Sequence, residues 1–186
     1  MSLLSRVFFS GRTPVTAQQL GEACARQALR AALEGEDSLA ERLERIGVPL
    51  RERDELVIFA LVPFDRVLAE RYAEPGAPVR SAMCECASAA LCAEHPGPIL
   101  GGEGRTGARF AERLERYAQL LAAAEPGEGP QLLAEHAYAA IARRAAPAAD
   151  GAQRYLDATL VLAEFFLAAR VQTLDGLRRF TLIRGS

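Results

Sequence analysis

The chain has 186 residues, 50% apolar and 25% charged, the composition of one globular domain and not of a disordered or fibrous chain. Its 22 basic and 24 acidic side chains leave a net charge of −2, so no overall field draws it to nucleic acid or an anionic membrane. All basic residues are Arg, with no Lys, Asn or Trp. A GC-rich coding bias accounts for that pattern, and no phosphate-binding inference follows from it.

Residues 1–12 read as a tail preceding a helical domain over 13–184. The tail, MSLLSRVFFSGR, holds Leu3, Leu4, Val7, Phe8 and Phe9 with Arg6 and Arg12 and no acid. Arg6 splits the apolar run and no small-residue cleavage site follows, so it does not read as a secretory signal. Exposed, it is an amphipathic handle for a partner or a membrane surface; otherwise it packs on its own bundle.

Helix punctuation is dense beyond it. Thr16 with Gln19, Ser38 with Glu41 and Asp150 with Gln153 each set a capping oxygen three residues before a Gln or Glu. Stops fall at Gly35, Gly47-Val48-Pro49, Pro75-Gly76, Pro96-Gly97 and Pro126-Gly127. These marks predict helices near 15–34, 39–46, 51–73, 79–94, 107–124, 130–145 and 151–180. Phe110, Leu114, Tyr117 and Leu121 form a one-face helical stripe, with Glu112 and Arg116 paired on the opposite face. No segment sustains a period of two. The expected fold is therefore all-α: a single-domain bundle of six or seven helices around a long hydrophobic C-terminal helix.

Two segments are more apolar than a surface helix requires. Residues 56–64, LVIFALVPF, suit a buried strand or helix, and their charged flanks favour helix, with a kink or break expected at Pro63. Residues 155–174 are apolar nearly all round, which places the last helix at the centre with 51–73 against it. No apolar run reaches the ~18 residues that a membrane span needs. The cytoplasm is the simplest location.

Candidate chemistry is sparse. Gly102, Gly104 and Gly107 fit G-x-G-x-x-G before a helix, with Arg105 and Thr106 as added donors. The flanking strand and βαβ pattern of a dinucleotide site are missing, as are the Lys and Ser or Thr of a P-loop, so an interhelical loop is the simpler reading. Cys84, Cys86, Cys92 and His95 offer four potential metal ligands. On a helix Cys84 and Cys86 diverge by about 200°, so a metal site needs 84–86 to be non-helical; otherwise the thiols are small core residues. Neither His95 nor His136 follows a Glu by three residues, which removes the di-iron bundle pattern.

His136 borders an apolar stripe and reads as a structural histidine more readily than as a general base. Asp157, Glu164 and Asp175 fall within about 20° on the last helix, either a solvent-facing seam or a polar lining that meets arginines of another helix. No nucleophile motif occurs, and no cofactor or metal is expected.

Two functions remain. The first is a non-enzymatic helical interaction module, an adaptor or helper, binding another protein or a second copy of itself through a contiguous apolar face. The second is a binder of a small phosphate-containing ligand, or an enzyme, with a pocket between helices near the 101–109 loop. That site would use Arg105, Thr106 and Arg109, together with His136 or Glu164.

Overall fold

The computed structural model describes residues 13–72, 76–94, 107–143 and 151–183. Short strand β1 (Thr13–Val15) leads into α1 (Ala17–Leu33) and α2 (Leu39–Arg45). Then follow α3 (Arg53–Arg71), α4 (Gly76–Glu94), α5 (Gly107–Ala123) and α6 (Gly129–Ala142). The long α7 (Ala152–Leu177) and strand β2 (Phe180–Leu182) complete the order. The protein is an all-α helical bundle, and its helices fall where capping and periodicity predict them.

Local chemistry sets the helix starts. Thr16 and Gln19 close a reciprocal capping box on α1, at 3.2 and 3.0 Å. Ser38 Oγ accepts from the Glu41 amide at 3.3 Å to open α2. The third expected cap rests on Asp150, which lies outside the described residues; α7 starts at Ala152 after Gly151.

The most enclosed element is α3, not the C-terminal helix. Every residue from Glu55 to Asp65 is buried, and α3 packs against α1, α4, α5, α6 and α7. Its run of large apolar residues has no polar face to offer water, so it becomes the axis. Helix α7 packs on α2, α3 and α6 and keeps one side in solvent, because a seam of acids runs along it. Helix α3 continues through buried Pro63 to Arg71, so no break occurs there. Phe59, Phe110, Phe166 and Tyr117 are almost fully buried around this axis, each contributing about 1.5–3 kcal/mol of apolar burial.

Two glycines set helix spacing. A Cβ on Gly21 would stand 2.6 Å from Ala82 Cβ, 2.7 Å from the Val79 carbonyl oxygen and 2.8 Å from the Met83 amide. Only glycine lets α1 lie this close on α4. A Cβ on Gly107 would meet Glu85 Cγ at 2.7 Å, so the start of α5 is pressed onto α4 in the same way.

One feature lies outside the expected pattern. β1 pairs in parallel with β2, Thr13 opposite Phe180 and Val15 opposite Leu182, which ties the start of the domain to the end of α7. Three-residue strands are too short to show a period of two in sequence.

Candidate functional site

Of the residues proposed for a ligand pocket, Arg109, His136 and Glu164 are among the described ones. Arg105 and Thr106 lie outside the described residues, as does His95. Arg109 sits half-buried in the first turn of α5. His136 is half-buried on α6, two turns along α5 from Arg109, with its ring edge-on to Tyr117 at 5.3 Å. Glu164 is exposed on α7 and pairs with Arg42 of α2 at 3.1 Å. Of the acid seam, Asp157 accepts from Gln153 and Asp175 pairs with Arg178, so its acids meet both a neighbouring helix and their own.

At the start of α5 a cavity of about 440 Å3 is lined by Asp65, Arg80, Ser81, Glu85 and Gly107, among others. Arg80 bonds Asp65 through Nε and Nη2 at 2.5 and 2.7 Å and reaches Glu115 at 3.0 Å. The hydrogen bonds to Asp65 outweigh desolvation and hold the guanidinium firmly protonated. With Asp65 and Glu85 beside one committed Arg, the described walls offer a phosphate more repulsion than attraction. Gly107, the last glycine of the G-x-G-x-x-G string, serves close helix packing.

A buried polar cluster joins α3, α5 and α6. Glu55, 7% exposed in its side chain, accepts from Arg113 at 2.6 and 3.0 Å and from the Tyr117 hydroxyl at 2.6 Å. Burial first, and then the Glu55 charge, push the Tyr117 phenol well above its ordinary pKa, so it stays a donor. Next to it, His136 Nε2 is buried with no hydrogen-bond partner among the described residues. Burial lowers the His136 pKa below 6.5, helped by Arg113 and Arg116 and opposed by Glu55. Arg113 and the Tyr117 hydroxyl both bond Glu55, so the cluster ties α3 to α5.

A pH dependence follows. The native state favours neutral imidazole, so its stability contribution is complete above the unfolded pKa near 6.5 and is lost as pH falls through the lower folded value. The melting temperature of the wild type is expected to drop a few degrees more than that of His136→Phe between pH 7 and pH 5, measured by circular dichroism. Parallel curves for the two proteins would refute the assignment.

The four thiols differ in burial. Residues 84–86 are helical, Cys84 is buried, Cys86 half-buried and Cys92 exposed. Burial pushes the Cys24 and Cys84 thiols up to about 12, so both behave as small core side chains. Among the described residues no three His, Cys, Asp or Glu side chains gather in a metal-binding group.

The outer face of α7 is different in kind. Leu156, Leu160, Leu167 and Val171 are 56%, 58%, 49% and 61% exposed. At 100° per residue they lie within about 60° of arc, a stripe about 22 Å long. Half-buried Leu174 falls on the same arc and Ala163 about 20° beside it, and they fill the gaps. Two cross-helix ion pairs frame it, Arg42–Glu164 towards α2 and Arg170–Glu70 towards α3, the latter at 3.0 Å. The sequence showed the excess of apolar side chains in this segment; only the packing shows which of them stay in water.

No protein-family model, curated protein or solved structure matches this chain. The class that the structure shows is an all-α bundle whose last helix carries an exposed aliphatic stripe among the described residues.

Proposed function

We propose that this protein is a non-enzymatic helical interaction module, and that the outer face of α7 is its binding surface. One observation carries the reading: four large aliphatic side chains, each about half exposed, stand in one stripe on one helix. Single exposed aliphatics are ordinary, whereas contiguous rows mark recognition surfaces. The flanking ion pairs supply a polar rim around an apolar centre, the usual anatomy of a protein interface. Such a stripe suits the apolar face of a helix on another protein or on a second copy of this chain. No described helix is long and apolar enough to cross a membrane, and the cytoplasm is the proposed place of action.

The test is the double variant Leu160→Glu/Leu167→Glu. Both positions are exposed, so the melting temperature should stay within about 2 °C of wild type. Light scattering and stoichiometric co-purification from the native host should show a self-associated or partner-bound wild type and a free variant. A wild type that is monomeric at all concentrations, with the same companions as the variant, overturns the reading.

A further inference from the structure

Helices α1 and α7 both pack along α3 but hardly touch one another. Between them lies a cavity of about 280 Å3, with Phe64 of α3 in its wall. The pairing of β1 with β2 joins the start of α1 to the end of α7, so the two helices run along the cavity in opposite senses. Leu20, Leu177 and Phe180 gather towards one end, and Ala31 and Ala169 towards the other. Gln27 on α1 and Gln172 and Thr173 on α7 come from the stretch between. A Cβ on Gly176 would meet nothing within 4 Å, so the wall there stands off its neighbours.

The lining combines an apolar body with a neutral polar mouth. Leu20, Phe64 and Leu177 are buried, whereas Gln27 and Gln172 are exposed, one carboxamide from each helix. A carboxamide both donates and accepts hydrogen bonds. Buried Thr173 gives its hydroxyl proton to the Ala169 carbonyl at 2.7 Å and keeps its oxygen free to accept. No described lining residue carries a formal charge. Burial pushes the thiol of Cys24, also in the wall, up to about 12, as expected of surroundings that resist a charge. An ion entering here would lose its water without meeting a counter-ion, whereas a neutral polar head exchanges water for the two carboxamides. A void of about 150 Å3 holds benzene, so this one suits a body of roughly a dozen non-hydrogen atoms.

We propose that the α1–α7 cavity binds a small neutral amphipathic molecule, an alkyl or aromatic body whose uncharged donor–acceptor head, such as a carboxamide, is held by Gln27 and Gln172. The bound molecule bridges two helices that otherwise meet only through α3 and the strand pair. The site is separate from the proposed binding face: Ala169 and Gly176 lie about 140–180° around α7 from Leu167 and Val171.

The experiment is equilibrium dialysis of the full chain at pH 7 against octanamide, octanoate and octylammonium, which share one body and differ in the charge of the head. Octanamide is expected to bind with a Kd below about 1 mM, and each ion at least about tenfold more weakly. Gly176→Leu fills the cavity from a position with open space around it. It should abolish octanamide binding while the melting temperature by circular dichroism falls by no more than about 2 °C, since leucine favours a helix over glycine. Gln27→Leu/Gln172→Leu should weaken octanamide at least about fivefold through the lost hydrogen bonds. An ion bound as tightly as octanamide, octanamide binding that survives Gly176→Leu or is unchanged in the double Gln variant, or no binding at all overturns the proposal. Leu160→Glu/Leu167→Glu should bind octanamide as the wild type does; a loss there would put the amide on the outer face of α7 and also overturn it. None of these outcomes alters the test of the α7 face by self-association or partner binding, so the two readings fail separately.

Discussion

Glu55→Ala is expected to lower the melting temperature by about 6–20 °C, more than any single substitution at the surface. Removing one member of a buried ion pair costs about 3–5 kcal/mol, because the remaining charge stays desolvated without its partner. In a domain of this size each kcal/mol moves the midpoint by about 2–4 °C. The variant strands two groups at once: Arg113, 26% exposed in its side chain, and the fully enclosed Tyr117 hydroxyl. Glu55→Gln keeps an acceptor for Tyr117 and should lose less, and Tyr117→Phe, which removes only one hydrogen bond to a charged group, about 1.5–3 kcal/mol. Thermal melts of the three variants at pH 7 check the order. A Glu55→Ala midpoint within 2 °C of wild type would show that the cluster does not hold α3 and α5 together.

Gly21→Ala should destabilise, against the usual trend. Alanine in place of glycine inside a helix ordinarily gains up to about 1 kcal/mol. Here the added methyl collides with backbone atoms of α4, the Val79 carbonyl and the Met83 amide, which cannot rotate away. Overpacking of this kind costs about 1–3 kcal/mol, and more for a longer side chain, so Gly21→Leu should separate α1 from α4 altogether. Gly107→Ala is the informative comparison. Its nearest obstacle is Glu85 Cγ, part of a flexible side chain, with Glu85 backbone atoms at 3.0 Å. A smaller loss is expected there. Urea titrations of the three variants rank them, and a Gly21→Ala protein more stable than wild type would contradict the close approach.

The candidate site was legible only in part. Of the stripe Phe110, Leu114, Tyr117 and Leu121, α5 buries the first three and leaves Leu121 half-buried. Glu55 gave no signal, because a Glu in the first turn of a helix is ordinary and its partners lie 58 and 62 positions away. The α7 stripe was hidden for the opposite reason. When nearly every position of a helix is apolar, periodicity cannot tell the buried arc from the exposed one.

Helix positions follow from sequence alone, because caps, breakers and side-chain period act within a few residues of one another. They predict an all-α bundle of six or seven helices, and the described residues form seven with their boundaries nearly in place. Which helix becomes the axis, which leucines remain wet, and which glycines serve contact between helices depend on atoms far apart along the chain. Those were settled only when α3 took the centre and left α7 half in water, since burial is shared among all the helices and no segment decides its own portion.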